Sequence, residues 1–343
     1  MNYSIVKEPG HVTNLESMNC VDAGTENCPC YLALTGDCLI CNRLQGKDYC
    51  GCNWAGVCIY NEFIQGNKRI NNPRRDFEAK VIRRKIYNEN LIVYVLDVGK
   101  GFSMKVKRPG SYLFARAKGA RSFYDIPLSI MKTDVEQGYI YLAIKIISSK
   151  TKTLIQENDI LMLRGPYRSG IHGISAIIDN KAKDQKILIV SKGIGIAPGA
   201  LILQSLAGRA SIDMIIDAEK ISEEFIKDFI YPEKDTENID IQYMSLYDKE
   251  TNKKLEYLMQ NNNYDSIILL VSDYYIGNLG NLVRRVLPTA NLAVSNNFHI
   301  CCGEGLCGSC SVDTSNGGSI KMCKCQLKGE ELVKNLYQNT IIE

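Results

Sequence analysis

The sequence lacks the features that define several broad classes of protein. It has no apolar run of about 18 residues or more, so no transmembrane helix is expected. Its N-terminus has no charged segment followed by an apolar run, so it does not show the pattern of a secretory signal. With a formal net charge of only +3, it offers no case for a nucleic-acid-binding surface. We therefore expect a cytoplasmic protein with no membrane span and no nucleic-acid partner.

Cysteine is absent between Cys58 and Cys301 but abundant on either side of that gap. Of the 14 cysteines, eight lie from Cys20 to Cys58 and six from Cys301 to Cys325. A disulfide scaffold is unusual in a reducing compartment and in a chain long enough to bury a core without staples. Both groups are therefore predicted to bind metal ions or clusters.

The order of the apolar runs divides the 343 residues into four regions of an α+β multidomain protein. Residues 1–70 form a Cys-rich segment, which a polar linker joins to the rest. Short strand-like runs separated by turns predict an antiparallel β-barrel or sandwich over residues 75–180. Over residues 185–290, strands alternate with helices, which predicts an α/β domain with a parallel sheet. Residues 291–343 form a small C-terminal domain.

Three cysteines of the C-terminal domain have the spacing of a plant-type [2Fe–2S] cluster. Cys302, Cys307 and Cys310 follow the pattern C-x4-C-x2-C. The glycines between them allow positive φ and a close approach of backbone amides to the sulfurs. A zinc knuckle is the alternative, but zinc prefers two separated pairs of ligands. We predict a [2Fe–2S] cluster at this loop.

The fourth ligand of that cluster is left open between two cysteines. Cys323 ends a strand-like run and is preferred over Cys325. Cys301 is expected to be a bystander, because adjacent residues cannot easily both face one cluster, and a free cysteine behaves as a small buried hydrophobic residue.

The N-terminal cysteines also have spacings that are typical of metal sites, such as C-x-C and C-x2-C. Eight thiolates would fill two four-cysteine sites, holding structural zinc or [4Fe–4S] clusters. A segment with so little apolar core needs a ligand to fold, which argues against a nest of free thiols. Because the same chain is predicted to hold a [2Fe–2S] cluster, we favour at least one further iron–sulfur cluster here. The predicted ligands are Cys20, Cys28, Cys30, Cys38, Cys41, Cys50, Cys52 and Cys58.

Five motifs occur in an order that is typical of one family. They are "KVKRPGSYLFAR", "IPLSI", "RGPYRSG", "GIGIAP" and the C-terminal cysteine loop. On these motifs the chain resembles the ferredoxin–NADP reductase superfamily. Within it, the chain is similar to the electron-transfer subunit of dihydroorotate dehydrogenase and to the small subunit of NADH-dependent ferredoxin:NADP oxidoreductase. The resemblance implies FAD in the barrel and a nicotinamide dinucleotide in the α/β domain.

The resemblance also assigns residues to the flavin. The backbone of "IPLSI" would run along the isoalloxazine, with the Ser129 hydroxyl near flavin N5. Ser149, Lys150 and Thr151 would form a turn near its phosphate and ribose. The family's arginine ahead of the motif is missing, and Arg116 or Arg121 would have to replace it. The residues implied are Leu128, Ser129, Ile130, Ser149, Lys150, Thr151 and Gly165.

The nucleotide turn departs from the family's glycine-rich pattern. Gly193 and Gly195 keep the possibility of a pyrophosphate at the start of a helix. Lys192 stands where the family has a glycine, so it would either add charge for the phosphates or fill the site. Asp273 stands in a later motif, where an acidic residue does not favour a phosphate.

Together these features predict a flavin and iron–sulfur electron-transfer subunit of an NAD(P)H-dependent oxidoreductase. FAD and the C-terminal cluster would carry the chemistry, so no acid–base side chain is assigned. The expected partner is a second oxidoreductase subunit or a ferredoxin-like electron carrier. Two alternatives stay open: an electron relay with a vestigial nucleotide site, and a zinc-stabilised scaffold or assembly protein.

Overall fold

The computed structural model describes residues 18–157, 159–182, 184–231, 238–314 and 318–336. Among these residues, no helix combines the length and the apolar composition that crossing a membrane requires. The outer ends of the predicted first and last regions, residues 1–17 and 337–343, lie outside this description.

The N-terminal segment has little regular structure. Its elements are β1 (Asn19–Cys20), α1 (Tyr31–Thr35), a single 3₁₀ turn (Arg43–Gln45) and α2 (Ile59–Gln65). Only a few side chains are buried within the segment itself: Ala33, Cys41, Leu44, Ile59 and Phe63. So small a core fits the expectation that this segment needs a bound ligand, or contacts with the rest of the chain, to fold stably.

An antiparallel sheet of seven strands follows. Its elements are β2 (Asp76–Asn88), β3 (Leu91–Asp97), α3 (Gly99–Val106), β4 (Tyr112–Ala117), β5 (Ile126–Ser129), β6 (Lys132–Asp134), β7 (Tyr139–Lys145), α4 (Ser149–Leu154) and β8 (Ile160–Tyr167). The strand order is β5-β4-β8-β2-β3-β7-β6. β3 and β4 are buried along almost their whole length, because the sheet curls around its own apolar face.

Two residues between β5 and β6 carry the chain from one edge of this sheet to the other. The N–H of Ile130 donates to the carbonyl of Ser111, just before β4, at 3.0 Å. The N–H of Met131 donates to the carbonyl of Tyr141, in β7, at 3.0 Å. Neither side chain is exposed. The predicted antiparallel barrel is thus confirmed as a curled sheet.

The second half is a six-stranded sheet with helices. Its elements are β9 (Ile171–His172), α5 (Ile174–Ile178), β10 (Gln185–Lys192), α6 (Ile196–Leu206), β11 (Ala210–Asp217), α7 (Glu223–Phe229), β12 (Ile239–Tyr243), α8 (Lys249–Asn261), β13 (Ser266–Leu270), α9 (Asp273–Val286) and β14 (Asn291–Ser295). The order is β12-β11-β10-β13-β14-β9, and every pair is parallel except β14 with β9. The continuous apolar runs of β10 and β13 fit a sheet covered on both faces. The predicted parallel α/β architecture is confirmed, with β9 as an antiparallel edge that was not predicted.

The C-terminal segment joins both the second sheet and the N-terminal segment. Its elements are β15 (Ser311–Asp313), β16 (Ser319–Lys321), β17 (Cys325–Gln326) and α10 (Gly329–Leu336). Helix α10 packs against α9, where a Cβ on Gly280 would come within 2.6 Å of Val333. β17 pairs with β1, opposing Cys325 to Cys20. The two cysteine-rich ends of the chain therefore lie side by side.

Candidate functional site

The carboxyl ends of β10 and β13 form the switch point of the second sheet. From β10 the chain proceeds to β11 and β12 on one side, and it then crosses to β13 and β14 on the other. Open α/β sheets bind ligands in the crevice at such a point. Lys192 ends β10, and Ser272 follows β13 as the N-cap of α9.

A cleft of about 540 Å³ joins this switch point to strand β5. Leu128 and Ser129 line it from the curled sheet, and Gly195 lines it from the nucleotide turn. Asn296, just after β14, contributes to the same wall. The structure thus brings together two residues predicted for flavin, Leu128 and Ser129, and one predicted for nucleotide, Gly195, although more than 60 positions separate them in the sequence. Gly193 does not line the cleft.

Two other residues assigned to the flavin lie behind the wall of this cleft. The side chain of Ile130 is fully buried in the interior of the curled sheet. Gly165 lies in β8, where a Cβ would meet the side chain of Leu113 at 3.2 Å. Neither residue is part of the cleft lining, so their support for a ligand would be indirect.

The segment predicted as a turn at residues 149–151 is instead the first turn of α4. Ser148 is the N-cap, and its hydroxyl accepts a hydrogen bond from the N–H of Thr151 at 3.3 Å. The Thr151 hydroxyl accepts in return from the N–H of Ser148 at 2.9 Å, which completes a capping box. Thr151 still lines the cleft, whereas the ammonium of Lys150 lies over the Phe123 ring.

The nucleotide turn brings backbone from two strands into close contact. A Cβ on Gly195 would come within 2.1 Å of the carbonyl oxygen of Leu270, so only glycine fits there. Gly193 has a φ of +54°, and a Cβ on it would come within 2.7 Å of the Glu219 carboxylate. Helix α6 begins immediately after the turn at Ile196, and its first turn lines the cleft through Ala197 and Pro198, so the positive end of the helix dipole lies beside the cleft.

Lys192 does not offer a free charge to this turn. Its ammonium forms ion pairs with Asp217 and, at 3.3 Å, with Glu219. It also lies 4.1 Å from the centre of the Tyr247 ring and 5.4 Å from that of Tyr275. These groups hold the Lys192 ammonium beside the end of β11, and the Lys192 side chain is only 7% exposed.

The position of the family's missing arginine is occupied by a neutralised carboxylate. Asp125 is buried and accepts from Arg116 at 2.8 Å and from Arg164 at 2.8 Å. Arg116 also pairs with Asp76 at 2.6 Å. Of the two candidate substitutes, Arg116 is therefore committed to carboxylates, whereas Arg121 is exposed.

Four thiols of the C-terminal loop form one hydrogen-bonded group: Cys302, Cys307, Cys310 and Cys323. The thiol of Cys323 hydrogen-bonds both Cys302 and Cys310 and lowers the pKa of Cys302 to about 4 and that of Cys310 to about 7. Cys325 lies instead beside Cys20. This arrangement supports Cys323 as the fourth ligand, whereas Cys301 is exposed.

Backbone groups of the same loop also point at the sulfurs. The N–H of Glu304 donates to Cys302 Sγ at 3.3 Å, and the N–H of Cys323 donates to Cys310 Sγ at 3.4 Å. Gly303 has a φ of +71°, and a Cβ on it would come within 2.6 Å of the Tyr167 ring, so the loop requires glycine there. Amide donors around thiolates are what a [2Fe–2S] cluster needs to be stabilised and tuned.

In the part of the chain that the structure describes, no group of three or more His, Cys, Asp and Glu side chains is arranged to hold a single metal ion. A plant-type cluster does not need such a group, because each of its two irons takes two of the four thiolates. The hydrogen-bonded thiols and the glycine cradle therefore fit that cluster.

A buried ion network ties the cysteine loop to the N-terminal segment. Lys324, which is fully buried, pairs with Asp22 and, at 3.3 Å, with Glu304. Arg74 pairs with Asp22 at 2.6 Å and with Glu304 at 3.3 Å. Burial alone would raise the pKa of Asp22, but Lys324 and Arg74 outweigh it and hold that pKa below its usual value. Tyr167 adds a 2.8 Å hydrogen bond to Glu304.

Several residues of the cleft were not predicted from the sequence. Lys145 and Glu219 face each other across it at 3.7 Å, and Tyr247, Tyr275 and Asn296 complete this side. A usable signal existed for Asn296, because residues that directly follow parallel strands line the crevice of such sheets. No comparable signal marks the two tyrosines, which come from a loop and a helix.

Comparison with known proteins agrees with this architecture. No family model and no curated protein matches the sequence. Among solved structures, that of NADH-dependent reduced ferredoxin-NADP oxidoreductase is similar over 76% of this chain and 93% of that chain, with 18% identity and a TM-score of 0.52. The ferredoxin reductase of carbazole 1,9a-dioxygenase is similar over 66% of this chain and 70% of that chain, with 15% identity and a TM-score of 0.47.

A third structure, flavohemoglobin from Malassezia yamatoensis, is similar over 69% of this chain and 64% of that chain, with 13% identity and a TM-score of 0.49. At identities this low, a likeness concerns the fold. The likeness to the oxidoreductase has a TM-score above 0.5 and covers most of both chains. The chain therefore shares its fold with NADH-dependent reduced ferredoxin-NADP oxidoreductase.

Proposed function

We propose that the chain is an electron-transfer subunit that exchanges electrons among a nicotinamide dinucleotide, FAD and a [2Fe–2S] cluster. The observation that carries this proposal is the single cleft shared by Ser129 of β5 and Gly195 of the nucleotide turn. Two ligands bound at these walls would meet within the cleft, which is the requirement for hydride transfer between them.

The curled sheet has the groups that would hold FAD. Among the described residues, β5 pairs with β4 alone, so the backbone of its other edge is available to a planar ring. Leu128 supplies apolar contact, and the Ser129 hydroxyl is available to a ring nitrogen. Lys145 lies in the same cleft as a cation for the pyrophosphate. Bound FAD would supply the exchange between two-electron and one-electron transfer.

The end of β11 favours a dinucleotide without a 2′-phosphate. In doubly wound sheets, an acidic residue about 20 positions beyond the glycine turn hydrogen-bonds the ribose 2′-hydroxyl of NAD. Asp217 and Glu219 occupy this position, where Lys192 pairs with both carboxylates and Lys145 pairs with Glu219. The Glu219 side chain is 28% exposed, so its carboxylate remains available to accept from that hydroxyl. We therefore infer that NADH is preferred over NADPH.

The C-terminal loop would hold the [2Fe–2S] cluster through Cys302, Cys307, Cys310 and Cys323. Support comes from the hydrogen-bonded group of thiols and from the two backbone amides that donate to sulfur. Leu306, beside Cys307, is half exposed, and Cys307 itself is exposed. A second oxidoreductase subunit or a ferredoxin-like carrier could exchange electrons with the cluster at this exposed side.

Anaerobic mixing of the FAD-loaded chain with NADH or NADPH tests the nicotinamide proposal. We expect NADH to bleach the flavin absorbance faster than NADPH. Glu219→Gln should reduce the ratio of the NADH rate to the NADPH rate about fivefold. The substitution removes a repulsion of about 1 kcal/mol between the Glu219 carboxylate and a 2′-phosphate, for charges roughly 4 Å apart in water. Glu78→Gln is the matched control, because the Glu78 carboxylate pairs with Lys118 and neither residue lines the cleft. It should leave the ratio of the two bleaching rates unchanged.

If neither dinucleotide bleaches the flavin, the chain is instead an electron relay that keeps the fold without nicotinamide chemistry. One observation favours this second function. Lys192 stands where the family has a glycine, and its buried side chain fills part of the switch-point crevice. In that case Lys192→Gly should open the crevice and allow NADH to bind, which isothermal titration would detect.

A further inference from the structure

The eight N-terminal cysteines divide by their order in the chain into two groups of four, which we name the inner and the outer cysteine set. The outer set lines one open cavity of about 590 Å³: Cys41, Cys50, Cys52 and Cys58. The inner set consists of the first four: Cys20, Cys28, Cys30 and Cys38. Cys28 and Cys38 pack against the same small core as Cys41, so the two sets are neighbours.

The loop that carries the outer set has little else to hold its shape. Between Asp48 and Cys58 there is no helix or strand. Val57 is 70% exposed and Tyr49 is 59% exposed, so the loop buries few apolar side chains. Cys50 and Cys58 are exposed too, which is unusual for thiols with only a packing role. A loop of this kind gains its stability from a bound ligand.

One local contact nevertheless gives the loop a defined path. The Trp54 indole N–H donates to the carbonyl of Val57 at 2.9 Å. A Cβ on Gly56 would come within 2.4 Å of the Trp54 ring, and a Cβ on Gly24 within 3.1 Å, so the ring lies flat against both glycines. This contact folds the chain back between Cys52 and Cys58 and leaves both thiols on the wall of the cavity.

The kind of site follows from how the thiols are distributed. Zinc needs its four thiolates about 2.3 Å from a single point, so their sulfurs must be in mutual contact. In a [4Fe–4S] cluster each thiolate binds a different iron, so the four sulfurs surround a cavity. The outer set surrounds a cavity, and no trio of its members among the described residues converges on one ion.

We propose that the outer cysteine set binds a [4Fe–4S] cluster. The inner set adjoins the C-terminal loop, because Cys20 opposes Cys325 in the β1–β17 ladder. The proposed cluster would be accessible from the surface at Cys50 and Cys58, which are exposed. This proposal goes beyond the proposed function, which requires only the flavin and the C-terminal cluster.

The test is a metal, sulfide and spectroscopic analysis of the full chain, purified and reconstituted anaerobically. The double variant Cys50→Ser/Cys58→Ser should lose about four irons per chain and the electron paramagnetic resonance signal of one [4Fe–4S] cluster. The bound flavin and the visible bands of the [2Fe–2S] cluster should remain, so failure here is distinguishable from failure of the proposed function. Cys301→Ser, an exposed cysteine outside both sets, is the matched control and should lose no iron.

The double variant Cys28→Ser/Cys38→Ser checks the division between the sets. This variant should keep the electron paramagnetic resonance signal of the [4Fe–4S] cluster that we assign to the outer set. Loss of the same metal from both double variants would overturn the proposal, as would zinc in place of iron at the outer set. If a variant does not fold, native mass spectrometry of the unaltered chain decides: a mass increment for a [4Fe–4S] cluster supports the proposal, and zinc increments alone refute it.

Discussion

Among single substitutions outside the proposed cofactor sites, a change at Asp22 should reduce the free energy of unfolding most. Its carboxylate is 2% exposed and neutralises both Lys324 and Arg74. Asp22→Asn keeps the shape of the side chain but removes its charge. Glu304 is then the one carboxylate that still pairs with the two buried cations. Removing one partner of a buried pair costs about 3–5 kcal/mol, because the remaining charge is not compensated. That is a large part of the 5–15 kcal/mol typical of a folded protein.

Anaerobic urea unfolding followed by circular dichroism measures this loss as a lower midpoint at unchanged slope. The double variant Asp22→Asn/Lys324→Met leaves Arg74 paired with Glu304, so the remaining network is neutral. We expect it to be more stable than Asp22→Asn alone, with a coupling energy of about 1–3 kcal/mol. The exposed pair of Lys253 with Glu250 supplies the control, Lys253→Met, which should scarcely move the midpoint.

Two outcomes would refute this reasoning. One is an Asp22→Asn midpoint equal to that of the Lys253→Met control. The other is a double variant whose loss equals the sum of the two single losses, since that would mean that Asp22 and Lys324 do not interact.

Two further predictions concern buried positions. Burial lowers the pKa of His172 to about 4, so the folded protein should lose about 3 kcal/mol as the pH falls from about 6.5 to 4, and His172→Gln should flatten that part of a stability profile. A profile that His172→Gln leaves unchanged would contradict this assignment. Gly195→Ala should cost about 1–3 kcal/mol in urea unfolding, because its Cβ meets the Leu270 backbone. Gly101→Ala in α3, where a Cβ meets nothing, should be neutral or stabilising, and equal effects at the two glycines would argue against the contact.

The parts of the fold that could be predicted from the sequence are those specified by neighbouring residues. The apolar run of β10, the glycine turn and helix α6 occur within some 20 residues, and the structure has them in that order. The start of α4 was also readable, because serine is a preferred N-cap residue, although Thr151 stands where the capping-box pattern has Glu or Gln. It was missed because the resemblance suggested a turn at that place.

The remainder depends on partners that are distant in the sequence. Arg74 lies in a stretch that reads as a polar linker, yet its side chain is 5% exposed and bound to Asp22 and Glu304. These partners lie 52 and 230 positions away. No local window contains them, and composition alone favours a solvated arginine. The pairing of β1 with β17 escaped prediction for the same reason.

The charges around the cysteine loop show why the N-terminal segment is part of the fold and not an appended module. They form one connected and balanced set of four cations and four anions: Lys324, Arg74, Arg164, Arg116, Asp22, Glu304, Asp125 and Asp76. Asp22 comes from the N-terminal segment, Glu304 from the cysteine loop and Asp125 from the strand edge beside the cleft. Because a half-paired buried network is worse than none, these three parts are stable only when assembled together. The assembled network also fixes the distance from the cysteine loop to the cleft. Electron transfer between the cofactors that we propose for these two places would depend on that distance.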